Sequence, residues 1–172
     1  IIGSDGYPYL FKVAYTLDSE GNIIYTGDGW SYDGATLVLA AKSDGTTLYD
    51  FGGAALECWV QITASNITVK NAVLKNKFVM TGANAVSFEN CVFANEIAAS
   101  NTQNTTFTNC MFVGSKSLMT DSAKVTYTNC LFDAQRVSAL DTAAMTALNL
   151  CRIVAQDGSS VDWKLTALNS TE

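Results

Sequence analysis

Asn84-Ala-Val-Ser-Phe-Glu-Asn-Cys-Val-Phe93, Asn104-Thr-Thr-Phe-Thr-Asn-Cys-Met-Phe112 and Lys124-Val-Thr-Tyr-Thr-Asn-Cys-Leu-Phe132 are three spellings of one phrase. A fourth, Asn66-Ile-Thr-Val-Lys-Asn-Ala-Val-Leu74, precedes them, and a degraded fifth, Leu148-Asn-Leu-Cys-Arg-Ile153, follows. The inner asparagines fall at 71, 90, 109 and 129, steps of 19, 19 and 20 residues. A period near twenty marks a chain built by stacking one small unit on the next.

Each copy holds two short alternations with a break between them. Val86 and Phe88 are in phase, Glu89-Asn90 interrupt, and Cys91 and Phe93 are in phase again. Side chains alternate along a strand, so both pairs can face one interior if the chain turns a corner at the break. Asparagine accepts the left-handed backbone of such a corner better than most L-residues. Asn71, Asn90, Asn109 and Asn129 are therefore expected to form a structural ladder, with amide over amide at the inter-strand spacing of about 4.8 Å.

The repeated Asn corner and its flanking alternations resemble the right-handed parallel β-helix of the pectate-lyase-like superfamily. In that superfamily an asparagine ladder commonly fills the tight turn between two sheets. The Asn-Cys-x-Phe wording is also similar to secreted β-helix proteins of gut Bacteroidetes. The resemblance covers residues 58–165. A third strand per coil is expected at Phe78-Val-Met80, Ile97-Ala-Ala99, Leu118-Met-Thr120, Val137-Ser-Ala139 and Val161-Asp-Trp163. The predicted fold is all-β: one domain over 1–172, a right-handed parallel β-helix of five to six coils. Residues 1–57 supply an irregular N-terminal cap and first coil, and 166–172 a tail.

The composition agrees with one continuous core, being 48% hydrophobic and 15% charged over 172 residues. Net charge is −6, there is no histidine and no basic run, which argues against nucleic acid as a partner. No apolar stretch has the length of a transmembrane helix, so membrane insertion is not expected. Asn66-Ile-Thr, Asn104-Thr-Thr and Asn169-Ser-Thr match the glycosylation sequon.

Cys91, Cys110, Cys130 and Cys151 recur at one place in successive copies, where the first copy has Ala72. Stacked side chains at about 4.8 Å are wider than the ~3.8 Å between the Cβ atoms of a disulfide. A structural column of free, buried thiols is expected, with Cys58 in the core as well. There is no Cys-x-x-Cys pair, so neither metal nor cofactor is assigned.

The N-terminal part lacks the repeat and reads as the closure that hides a solenoid's open end. Lys12 to Thr16 should pair as a hairpin with Ile23 to Thr26 around Ser19-Glu-Gly-Asn22. A polar loop, Gly27 to Gly34, then leads to a strand at Thr36 to Ala40. After the fourth copy, Asp141 to Thr146 should bulge or form a helical turn, and Trp163 should cover the far end of the core.

Within the Gly27 to Gly34 loop, Asp28, Trp30, Tyr32 and Asp33 form the candidate ligand-binding group. Exposed aromatic rings stack on sugars and carboxylates accept their hydroxyls, whereas the alternative reading makes the same aromatics an end cap. Asp28, Asp33 and Asp44 precede glycines in a weak echo of calcium loops. Outward Thr106, Thr108, Thr126 and Thr128 form a short hydroxyl array. Enzymes of the resembled superfamily act on polysaccharides with clustered carboxylates and basic groups on an outer sheet. Here the acidic and basic residues are scattered along the coils, so no catalytic residues are assigned. The leading expectation is a non-catalytic extracellular or cell-surface module, structural or adhesive, whose partner is a polysaccharide or surface glycan. A polysaccharide lyase or glycoside hydrolase is the alternative, and a phage-tail or other assembly protein a third.

Overall fold

A computed structural model describes residues 14–45, 47–114, 119, 122–137, 145–155 and 157–163. The expectations for Tyr7 to Val13, Leu118, Thr120, Ser138-Ala139, Asp141 to Ala144 and the tail lie outside the described residues. The chain winds as a parallel β-solenoid of about five turns, and its one described helix is Ala134–Val137.

Each regular coil lays down a strand before the asparagine corner and another after it. Before the corner, Thr68, Ser87, Thr106 and Thr126 stand in one file, paired in parallel. After it, Val73, Val92, Met111 and Leu131 form another. Leu48–Leu56 and Thr68–Leu74 run through the corner unbroken, joining the two faces. A third face is built by Thr36–Leu39, Trp59–Ile62, Phe78–Thr81 and Ile97–Ser100, again parallel and in register.

The corners are where sequence determines shape. Asn71, Asn90, Asn109 and Asn129 all have φ between 51° and 56°, the left-handed region the turn demands. Their side chains link coil to coil. Asn90 Nδ2 donates to Asn71 Oδ1 and Asn129 Nδ2 to Asn109 Oδ1, both at 2.7 Å. Between Asn90 and Asn109 the coils are joined by backbone, the Asn90 N–H donating to the Thr108 carbonyl at 2.9 Å.

A second left-handed corner was not anticipated. Asn66, Ala85, Asn104 and Lys124 have φ of 62°, 59°, 56° and 57°, one position before the buried file Ile67, Val86, Thr105 and Val125. Asn104 Nδ2 donates to Asn84 Oδ1 at 2.7 Å, a lateral link one residue off the file.

Inside, the phase of each strand stacks like on like. Phe88, Phe107 and Tyr127 lie ring over ring at 5.0 Å, with interplanar angles of 10° and 7°. Phe93, Phe112 and Phe132 do the same at 5.3 and 4.7 Å. The two columns meet edge to face, as at Phe107–Phe112 (5.1 Å, 77°), the arrangement that ring quadrupoles favour.

Cys91, Cys110, Cys130 and Cys151 sit just past the corner, buried and without disulfides, and Cys58 is buried and free too. Each column thiol lies within reach of two carbonyls. For Cys130 these are Thr128 (3.3 Å) before the corner and Phe107 (3.5 Å) on the coil below. A small apolar side chain with a weak donor thus fits where carbonyls converge at a sharp turn.

The N-terminal hairpin forms as expected, Ala14–Leu17 antiparallel to Ile23–Gly27. Trp30–Tyr32, expected as loop, is instead a strand that joins the hairpin to the first coil. Pairing places Tyr15, Tyr25, Tyr32 and Leu37 on one face, so the hairpin continues the core face past the first coil. Tyr15, Leu17, Ile23 and Tyr25 are exposed there.

Two expectations for the C-terminal half need correction. Val137 ends the Ala134–Val137 helix rather than opening a third-face strand. Of the segment Asp141 to Thr146, expected to bulge or form a helical turn, Met145 and Thr146 are described and lie in the strand Met145–Asn149, where the register shifts. Ser160–Trp163 folds back antiparallel on Cys151–Val154 instead of joining the third face, because a short turn at 157–158 permits only a hairpin return. The side chain of Trp163 lies outside the described residues. In the fifth copy Leu150, not Asn149, takes the left-handed corner at φ 56°, and the register shifts opposite Val125/Thr126.

Candidate functional site

The loop residues singled out by sequence are turned to structural use. Trp30 and Tyr32 are only 5% and 4% exposed, so their rings are packed into the core rather than displayed for stacking on a sugar. The alternation that makes Trp30–Tyr32 a strand also points both rings inward, over Leu39 and Leu37 of the next strand. Asp28 accepts from the Ser43 N–H (2.7 Å) and hydroxyl (3.0 Å), tying two loops together. Asp33 accepts from the N–H groups of Ala35 (2.9 Å) and Thr36 (2.8 Å) in a turn that starts the first coil. Beneath them the Tyr49 hydroxyl donates to the Ala40 carbonyl at 2.6 Å, and burial pushes its pKa up to about 12. Gly29, at φ 80°, passes over this bond where a side chain would not fit.

Four ion pairs tie outer charges together, three between neighbouring coils and one within the C-terminal hairpin. Lys70 meets Glu89 at 2.9 Å, Lys75 meets Glu57 at 3.0 Å, Lys77 meets Glu96 at 3.3 Å and Arg152 meets Asp162 at 3.2 Å. Arg152 is thus occupied by a single carboxylate, and the side chain of Arg136 lies outside the described residues. Among the described residues no group of three or more Cys, Asp or Glu side chains converges as metal ligands would. The thiol column explains why four cysteines make no such group: a straight file at strand spacing cannot surround a point. Cys110, flanked by Cys130 and Cys91, has its pKa raised by hydrogen bonding to both and by burial, which keeps its thiol protonated.

The asparagine ladder has a terminus that sequence reading missed. Asn71 Nδ2 donates to Asp50 Oδ1 at 2.9 Å, so the file begins on a carboxylate in the irregular first coil. Gly52 and Gly53, both at positive φ, disrupt the period between Asp50 and Ala54 and hide the correspondence.

Two surface features were also missed. Trp59 is 46% exposed on the outside of the third face, with Lys77 Nζ 5.3 Å from its ring centroid. The alternation Trp59-Val60-Gln61-Ile62 carries the signal, since Val60 and Ile62 are buried and Trp59 shares the outward phase with Gln61. On the second face the outward file Val73, Val92, Met111 and Leu131 is apolar, and beside it Met111, Val113, Leu131, Val154 and Ala155 line a cavity of about 230 Å³.

Comparison of this chain with known protein families, with curated proteins and with solved structures returned no match.

Proposed function

We propose that this parallel β-solenoid is a non-catalytic extracellular or cell-surface module, structural or adhesive, whose partner is a polysaccharide or surface glycan. In this reading it resembles the pectate-lyase-like β-helices and the secreted β-helix proteins of gut Bacteroidetes. The observation that carries this reading is the one-to-one pairing of Lys70, Lys75 and Lys77 with glutamates of adjacent coils. General acid–base chemistry on a sugar needs two groups held in different protonation states around one bond, and lyase chemistry needs a base beside a bound cation. A lysine balanced by a single glutamate on a flat sheet supplies neither. It supplies a rigid surface on which the paired charges cancel locally.

The test is to incubate the purified chain with immobilised polysaccharides and follow both retention and breakdown. Retention without new reducing ends or unsaturated products is expected. Release of either product above the blank would replace this reading with the lyase or hydrolase alternative. The apolar file Val73, Val92, Met111 and Leu131 favours the assembly reading, since contiguous apolar surface marks protein contacts. Concentration-dependent self-association abolished by Met111→Lys would support it.

A further inference from the structure

We propose that the outer surface of the third face, centred on Trp59, is the glycan platform, and that it takes neutral pyranose polymers. This rests on the glycan-contacting reading above and gives it a place. Trp59 stands in a file with Thr36 on one side and with Lys77 and then Glu96 on the other, set by the pairing of Thr36 with Trp59 and of Val60 with Phe78. Lys77 borders one face of the indole, and its ammonium is held there by Glu96 at 3.3 Å. The neighbour towards the cap is the shorter Thr36. The ring is bordered by Lys77 on one side and stays half-exposed.

The surroundings suit a flat ligand. The adjoining outward file is Val38, Gln61, Val79 and Ala98, half-buried side chains that form a low floor with one amide in it. Beyond it Thr63, Thr81 and Ser100 expose hydroxyls. An aromatic wall, an apolar floor and a hydroxyl margin match a pyranose, which has C–H groups on its ring faces and hydroxyls around its edge. Successive coils repeat at about 4.8 Å, comparable with one sugar residue, so a polymer along the solenoid axis keeps step with the coils. Mid-sheet placement also separates Trp59 from the exposed aromatics Tyr15 and Tyr25, which lie on the core-side face of the hairpin.

Charge selects the class of polymer. The platform's lysine and glutamate neutralise each other, while the chain as a whole carries −6. An acidic polymer would meet a repelling field, and the lysine of the described platform is already paired with Glu96, whereas a neutral polymer meets no such penalty.

Affinity electrophoresis through gels containing galactomannan, xyloglucan or β-1,3-glucan, with polygalacturonate as the acidic comparator, tests this. Retardation by at least one neutral polymer is expected, reduced about tenfold or more in Trp59→Ala and partly kept in Trp59→Phe. Val79→Glu, which puts a charge on the floor, should abolish it as well and serves if Trp59→Ala alters the urea midpoint. Neutral-polymer retardation that survives both Trp59→Ala and Val79→Glu would sink the platform while leaving the glycan reading intact. Stronger retardation by polygalacturonate would overturn the assignment of class. No retardation by any of the four would remove the platform and the glycan reading together.

Discussion

Asn71 donates its side-chain amide to Asp50 across the first two coils at 2.9 Å, so the asparagine file ends on an anion. The amides at 90 and 129 likewise donate toward the preceding coil, giving these links a common direction. Hydrogen bonding to Asn71, and then to the Gly52 N–H, lowers the Asp50 pKa below its ordinary value of 3.8. A carboxyl depressed on folding stabilises the native state above the unfolded pKa, and loses that contribution as pH falls through the folded one. Asp18 and Asp157 shift in the same direction, so wild type alone cannot isolate Asp50. Asp50→Asn should therefore lose less stability on acidification below 3.8 than wild type, as read from urea midpoints at neutral and acid pH. Parallel acid dependence in the two proteins would show that the link does not matter.

Leu150 holds the place in the fifth coil that asparagine holds in the four before it. It has φ 56° and is 82% exposed, so a branched side chain bears the left-handed penalty with no packing in return. That penalty is about 1–2 kcal/mol for an ordinary L-residue. Leu150→Asn should raise stability by about 1 kcal/mol, through backbone relief and a new link to Asn129. Leu150→Gly relieves the backbone but offers no amide and loosens the unfolded chain, so it should gain less. An Asn variant no more stable than the Gly variant would mean that the ladder stops at Asn129.

Thr105 is fully buried in the file where the neighbouring coils have Val86 and Val125, and its hydroxyl has no hydrogen-bond partner. A buried, unsatisfied hydroxyl costs roughly 1–3 kcal/mol. Thr105→Val keeps the shape and removes the orphan, so it should stabilise by about 1 kcal/mol. Destabilisation would reveal a partner for the hydroxyl.

These two sites show why parts of the fold were legible and others were not. The first corner was readable because one residue type meets its backbone demand in four consecutive coils. The second corner has the same geometry, yet Asn66, Ala85, Asn104 and Lys124 fill it, so no letter recurs. The third face was readable at Phe78 and Ile97, which keep the phase. It was misread at Val137 and Val161, where apolar residues sit in a helix and in an antiparallel return. Trp30 and Tyr32 read from sequence as a sugar site or as an end cap, because aromatics between glycines fit a display loop and a cap alike. Their phase with Leu37 and Leu39 decides the matter, and that phase becomes visible only when the strands are paired. Trp59 is the opposite case: its local alternation with Val60 and Ile62 is informative, but its coil lacks the Asn-Cys phrase that marks the later ones.

The five thiols are free, and all five are buried. Alkylation requires an accessible thiolate, so folded protein at neutral pH should label slowly at all five positions and completely once denatured. Fast native labelling at any of Cys91, Cys110 or Cys130 would mean that the coils open locally at the corner, since their burial leaves no direct path for the reagent.

Phe107 lies at the crossing of both aromatic columns, stacked on Phe88 and Tyr127 at 5.0 Å and edge-on to Phe93 and Phe112 at 5.6 and 5.1 Å. It has no exposed surface. Removing such a ring costs its transfer free energy and leaves a void, together about 3–5 kcal/mol for Phe→Ala. Phe107→Leu should cost less, because much of the volume is kept and only the ring contacts are lost. Solenoid stability is close to a sum of coil terms and interfaces between adjacent coils, so a central lesion can divide the stack. Phe107→Ala is therefore expected to convert a single urea transition into two, whereas Phe132→Ala, nearer the C-terminal end, should shift the curve and keep it single. Hydrogen exchange would locate the break: loss of protection centred on the coils of Phe88 and Tyr127 is the expected pattern. A uniform loss over every coil would mean that the stack melts as one unit and that coupling along the aromatic columns exceeds the cost of the cavity.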